Sequence, residues 1–457
     1  MKKILILAVA LALVGGVAYA NFCARDYVPA ATLLVPYAVV DLDSTGAPNP
    51  NGYTTLLYVT NVSSAKQLIH VVVWDALSEH VVDFDEVLSG YDVWGINFRD
   101  LLTGSFNIFD TGATGGFFSG TAGKVAVPWG PTTNDGYATS LTAPMDTDAT
   151  PPANTGCNFP YGPLNSYGPA IVTALQSAIF TVPQTTVPCK VASVANPPWL
   201  ANLTTNPVFF YVTVDVVTAC NQNFPDEAAY WTGLFPSGNN AIIGEIYYLN
   251  AATNFSESVP AVAIEVNTGW GGTGFYSRYT DNFTPAIQDT HEPLGSAFAF
   301  HYFNSGGITS NLMVWKNEHE VVEDIDTGDL FFWACNPYIY YAWDENENSK
   351  TRGGGGPSGF LTAEPNVIPF ETQKVPLDVA NWNGLMANNG WMLLVFDPSI
   401  PFHPPATLQA WAAVQYYFGT YSTALEAALL SNVYCNPPQV LPFLNVNIGA
   451  AVYGPTP

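Results

Sequence analysis

The chain has 457 residues, 37 of them acidic against 12 basic, for a formal net charge of −25. Nucleic acid and anionic membrane surfaces need a basic footprint, so this balance excludes both as partners. Hydrophobic residues reach 48% and aromatics 14%, which excludes a disordered chain, while only 11% are charged, so Asn, Thr, Ser, Gly and Tyr must cover much of the surface.

Residues 1–20 read as a secretory signal peptide. Lys2 and Lys3 form the positive start, residues 4–14 are apolar, and Ala18-Tyr19-Ala20 is an A-x-A cleavage site. The apolar run is shorter than the roughly 20 residues a membrane span needs. No later stretch is long and apolar enough to cross a bilayer. The expected location is therefore outside the cytoplasm: extracellular, cell-surface or periplasmic.

Strand signals dominate the remainder of the chain. Residues 54–60 (TTLLYVT), 69–74 (IHVVVW) and 208–217 (VFFYVTVDVV) are rich in β-branched and aromatic residues. Residues 92–98 alternate, which sets Asp92, Trp94, Ile96 and Phe98 on one inward face. Residues 30–41 precede these blocks and offer a strand for pairing with a neighbour's sheet edge. An insertion spans about 103–206. Within it, 131–156 is rich in Thr, Pro, Asp and Asn and reads as a surface loop, and 167–180 is the short helix candidate, with Ile171, Ala174, Leu175 and Ala178 on one stripe. Asn389-Gly390 reads as a hairpin turn before the strand 391–396 (WMLLVF). Residues 408–418 and 241–250 both read as strands.

The two halves carry similar blocks in the same order. LLYVTN, IHVVVW and HVVDFD match FAFHYFN, SNLMVW and HEVVEDID; a strand ends at Asn61 or Asn304, the next in Val73-Trp74 or Val314-Trp315, and His80 or His319 comes after it. Downstream, YVTVDVV and GEIYYLN match WMLLVF and AAVQYYF. That shared order points to tandem duplication of one β-domain. The expected fold is all-β: two related antiparallel β-sandwich domains, Ig-like or jelly-roll-like, at 21–275 and 285–457, the first enlarged by a loop and short-helix insertion. Blocks such as LLVPYAVVDL, TTLLYVTN and FYSRYT resemble those of secreted bacterial tandem β-sandwich proteins. The likeness covers much of both halves and implies the fold and export, but no activity.

Six cysteines, Cys23, Cys157, Cys189, Cys220, Cys335 and Cys435, all lie beyond the signal segment. In an oxidising compartment they are disulfide candidates, with fifteen possible pairings. The absence of C-x-x-C argues against a zinc or thioredoxin-like site. Gly269-Trp270-Gly271-Gly272-Thr273-Gly274 has G-x-G-x-x-G spacing, but no helical period comes after it, so it reads as an inter-domain turn. Glu318-His319-Glu320 lacks the second His of a zincin, and no G-x-S-x-G elbow occurs. Acids two apart beside Gly, at Asp41 and Asp43 and at Asp324, Asp326 and Asp329, are candidate Ca²⁺ ligands. Trp129, Trp199, Trp231 and Trp270 lie in Pro- or Gly-rich surroundings and are candidate sugar-stacking platforms. Trp74, Trp94, Trp315 and Trp411 lie inside strand patterns and read as core. The functional expectation is a non-enzymatic structural or adhesive protein whose partners are polysaccharide or other surface proteins. The alternative is a carbohydrate-binding module or glycoside hydrolase, whose carboxylate pair has no sequence signature.

Overall fold

The computed structural model describes residues 28–104, 164–176, 179, 200, 203, 205–218, 223–233, 236–267, 274–281, 283–317, 321–323, 330–332, 338–345, 361–362, 368, 370–382, 388–396, 409–419, 421–426 and 428–431. Strands dominate, every pairing between them is antiparallel, and no sheet closes on itself. In the first half the strands are β1 (Thr32–Leu42), β2 (Thr54–Asn61), β3 (Gln67–Trp74), β4 (His80–Leu88), β5 (Val93–Asn97), β6 (Asn206–Val217), β7 (Ile242–Asn250), β8 (Phe255–Pro260) and β9 (Val262–Ile264). Short helices α1 (Phe98–Thr103), α2 (Leu164–Gln176), α3 (Ala228–Thr232) and α4 (Ser277–Thr280) lie between or after them. The second half supplies β10 (Ala297–Phe303), β11 (Ile308–Lys316), β12 (Val321–Glu323), β13 (Leu330–Phe332), β14 (Tyr338–Asp344), β15 (Leu361–Thr362), β16 (Thr372–Pro376), β17 (Asn389–Phe396), β18 (Ala410–Phe418), β19 (Tyr421–Glu426) and β20 (Ala428–Ser431).

The inner five-stranded sheet runs β4-β3-β6-β1-β9 and the outer four-stranded sheet β5-β2-β7-β8. In the second half the five-stranded sheet runs β15-β14-β17-β10-β20 and the four-stranded one β16-β11-β18-β19. These orders are the same when β1–β9 are laid on β10, β11 and β14–β20, with the hairpin β12–β13 inserted. The registers agree as well. Asn61 N donates to Asp92 O and Lys316 N to Glu371 O, both at 2.9 Å. Val216 N donates to Ala31 O at 2.7 Å and Phe396 N to Ser296 O at 2.8 Å. Asn61 faces Ile242 as Lys316 faces Ala410. The connectivity therefore sets β2 opposite β11 and β3 opposite β14. That is one strand away from the correspondence the block order gives, because β1 also has a counterpart, β10. The later matches, β6 with β17 and β7 with β18, stand as read.

Layering explains the apolar runs. Residues of β1 and β3 are buried throughout, and in β6 only Asn206 is exposed. A strand covered on both faces loses the alternation that marks a half-buried one. On one face Tyr248 donates to Tyr37 O at 2.7 Å and Val39 N to Thr55 Oγ1 at 2.8 Å. On the other, Thr372 Oγ1 donates to Pro36 O at 2.5 Å, and Phe209 meets Phe370 with ring centroids 5.5 Å apart. The inner sheet of the first half is thus held between its own four-stranded sheet and that of the second half. The five-stranded sheet of the second half packs on the other face of the second half's four-stranded sheet.

Most strand expectations hold. Trp94, Ile96 and Phe98 are buried, as are Trp74, Trp315 and Trp411. The helix expected at 167–180 begins at Leu164 and buries Ile171 and Leu175. Two expectations change. Asn389 and Gly390 lie inside β17, opposite Phe303 and Tyr302, rather than in a turn. The glycine serves close approach: a Cβ there would collide with the Trp343 carbonyl and the Tyr302 ring. Residues 30–41 do not form a free edge, because β1 is an inner strand between β6 and β9. The signal segment, the loop 131–156 and all six cysteines lie outside the described residues. Among the described residues no helix is long and apolar enough to cross a membrane.

Candidate functional site

A polar row crosses the most buried sheet. Asp85, His70, Asp215 and Thr32 are register neighbours on β4, β3, β6 and β1, and each is at most 1% exposed. His70 Nδ1 lies 2.7 Å from Asp85 Oδ1, and its Nε2 is 3.9 Å from Asp83 Oδ2. Burial, the largest influence on His70, opposes the imidazolium. The carboxylates of Asp85, Asp83 and Asp215 together outweigh it and bring the ring up to about 9. Asp215 accepts three hydroxyls: Thr32 at 2.6 Å, Tyr230 at 2.7 Å and Tyr276 at 2.8 Å. Tyr230 belongs to α3 and Tyr276 to the connection between the halves, so one carboxylate ties both to the sheet.

A second buried pair continues the cluster. Asp289 Oδ1 lies 2.7 Å from His291 Nδ1, and Asp289 Oδ2 accepts from Tyr276 N at 2.5 Å. Burial again opposes a charged His291, and the adjacent Asp289 raises it above the usual imidazole range. Trp231 packs edge-on against Tyr276 and His291 and donates to Pro225 O at 2.7 Å.

Next to this cluster stands Arg278, 1% exposed, on α4. Its guanidinium bonds to Glu371 Oε1 and, at 2.9 Å, to the Tyr211 hydroxyl, which in turn lies 2.7 Å from Ser78 Oγ. It sits 4.5 Å from the Tyr279 ring centroid and 5.3 Å from that of Trp315. Burial pushes the Glu371 carboxyl up, opposed by Arg278. Arg278 thus joins a strand of the first half to the segment preceding β16 in the second.

The second half provides an internal control. At the places of Asp85, His70, Asp215 and Thr32 it has Thr362, Ile339, Val395 and Ala297. The same sheet geometry is built there from a nearly apolar row, so the fold does not require the charges. The cluster anchors α3 and the connection through the Tyr230 and Tyr276 hydroxyls. Its carboxylates are already engaged, and its members are closed to solvent.

Of the residues expected to bind ligands, Trp231, Asp41 and Asp43 are among the described ones. Trp231 is only 8% exposed and offers no open ring face. Asp41 is buried and accepts from Tyr53 N and Thr205. Asp43 is in an exposed turn, where its Oδ1 accepts from Thr45 N, Thr45 Oγ1 and Ala47 N. Self-contained turn bonds of this kind are what Asp commonly makes. Trp129, Trp199, Trp270, Asp324, Asp326 and Asp329 lie outside the described residues. Among the described residues no three His, Cys, Asp or Glu side chains form a group able to hold a metal ion.

The described fold and cluster define an all-antiparallel β protein of open, stacked sheets with a charged seam between its halves. Comparison with protein-family models, curated proteins and solved structures finds no match to this chain.

Proposed function

We propose that the chain is an exported, non-enzymatic structural or adhesive protein in which two related β-sandwiches act as one rigid block. The observation that carries this reading is Arg278, buried between Glu371 of one half and Tyr211 of the other. Independent modules on a flexible linker have no use for such a contact, since a buried ion pair costs desolvation and is tolerated only with good geometry. Export rests on the first twenty residues.

Unfolding tracked by tryptophan fluorescence and by far-ultraviolet circular dichroism tests the block. One coincident transition is expected, and two separated transitions would overturn it. Sequencing the N-terminus of the mature protein tests export.

A second reading is sugar binding. It is favoured by a groove of about 410 Å³ on the outer face of the first half's four-stranded sheet, where Tyr58 and Tyr247 meet edge to face. Clear binding to one polysaccharide on a glycan array, lost on changing Tyr247 to Ala, would favour this reading over the first.

A further inference from the structure

A second junction joins the halves where two edge strands meet. β8 and β19 lie side by side, and Ser422 Oγ donates to the Glu257 carboxylate. Tyr53 of the first half, just ahead of β2, and Tyr417 of the second, on β18, come together there. Their hydroxyls are hydrogen-bonding neighbours. The Phe255 ring on β8 holds both, edge-on to Tyr53 at 5.1 Å and stacked along Tyr417 at 5.6 Å.

Lys374 on β16 fixes the pair from another side. Its Nζ donates to the Tyr417 hydroxyl at 3.3 Å and lies 5.7 Å from the Tyr53 ring centroid and 5.8 Å from that of Tyr417. The Tyr37 ring, also 5.8 Å from Nζ, completes the cage. Both phenols of the pair are part-exposed. Burial pushes Tyr53 up to about 12 and raises Tyr417 as well, so both keep their protons at neutral pH.

Two phenols placed in this way can be joined by oxidation. A one-electron oxidant takes an electron from each, and each hydroxyl proton leaves to solvent. The two tyrosyl radicals bond through the carbons ortho to their oxygens, and the hydrogens on those carbons move to the oxygens. The net change is one new carbon–carbon bond and the loss of two electrons and two protons. Hydrogen peroxide, acting through a peroxidase, takes up both and becomes two waters. The product is a biphenol whose hydroxyls are neighbours, which is how these hydroxyls already stand. Holding the reacting groups together favours coupling within one chain over coupling between chains. Exposure alone would select differently: Tyr91 and Tyr421 are 70% and 78% exposed and would link one molecule to another.

We propose that Tyr53 and Tyr417 are a dityrosine cross-link site, so that once oxidised the two halves cannot part without breaking a covalent bond. The proposal goes beyond the rigid-block reading and rests on it only in needing the halves packed.

Treatment of the mature full-length chain, held dilute, with hydrogen peroxide and a haem peroxidase tests it. The monomer should lose the mass of two hydrogen atoms, show dityrosine fluorescence, and yield one linked pair of peptides carrying Tyr53 and Tyr417. Tyr53→Phe and Tyr417→Phe should each abolish all three signals. Tyr91→Phe combined with Tyr421→Phe should leave them unchanged. A monomer of unchanged mass, a link mapped to any other pair of tyrosines, or a link that survives Tyr53→Phe overturns the proposal. Peptide mapping of wild type decides the matter should either variant fold poorly. Thermal unfolding of the untreated protein keeps the two readings apart. No link with one transition removes the cross-link alone, and no link with two transitions removes the rigid block as well.

Discussion

Arg278 and Glu371 form an ion pair inside the protein, 1% and 0% exposed, between the connection and the second half. Removing one partner strands the other charge in a low-dielectric interior. Arg278→Met should cost about 3–5 kcal/mol, while Arg278→Met with Glu371→Leu should recover much of that loss. Denaturant unfolding of the two variants checks both statements.

The His70 row gives a pH dependence. Its folded pKa, about 9, lies above the unfolded value near 6.5. The stabilisation is therefore fully present below about pH 6.5 and is lost as pH rises through about 9. The span corresponds to about 3 kcal/mol. Melting temperature against pH should fall across that window in wild type and stay flatter in His70→Ile.

His70→Ile alone leaves Asp85 without its partner and should destabilise the fold by about 2–4 kcal/mol. The triple change His70→Ile, Asp85→Thr, Asp215→Val copies three of the four positions of the second half's row. It should be milder at the row itself, but it releases the Tyr230 and Tyr276 hydroxyls. Faster hydrogen exchange around α3 and α4 in the triple variant, with the sheet still protected, is the expected result.

Asp75 caps the turn between β3 and β4, its Oδ1 accepting from Leu77 N at 2.8 Å and Glu79 N at 2.9 Å. Burial and then Glu79 push its carboxyl up to about 7. A raised carboxyl pKa means the charged form is penalised in the folded protein, so stability falls as pH rises from about 4 through 7. Asp75→Asn keeps the acceptor without the charge. It should gain on the order of 1–3 kcal/mol at pH 8 and little at pH 4, as read from melting curves at both pH values.

Gly390 should not tolerate a side chain. Gly390→Ala forces a Cβ against the Trp343 carbonyl, and overpacking of this kind costs about 1–3 kcal/mol. A melting temperature within a degree of wild type would show that β14 and β17 leave room for a methyl group between them.

Strand content was legible because β-branched and aromatic runs have few other uses, and 54–60, 69–74 and 208–217 each became a strand. The inner position of β1 was not, since a run buried on both faces carries no alternation to say which neighbours it has. Asn389-Gly390 misled for a related reason: Asn-Gly favours a turn, but close packing also demands glycine. The cluster was missed although its signal was present. His70 inside IHVVVW and Asp215 inside VFFYVTVDVV are ionisable residues in otherwise apolar runs, and only register shows that they sit side by side. Arg278 was hidden further, because its partners, Tyr211 and Glu371, are 67 and 93 residues away.

Pro36 has one more consequence. β1 shifts register between Val35 and Ala38, and the displaced Pro36 carbonyl receives Thr372 from the second half. A proline lacks the N–H that an inner strand normally spends on its neighbour. Here the irregularity leaves a carbonyl of an inner strand to accept from the other half. The kink in β1 is therefore also a fastening between the halves, so an irregularity within one sheet serves the packing of two.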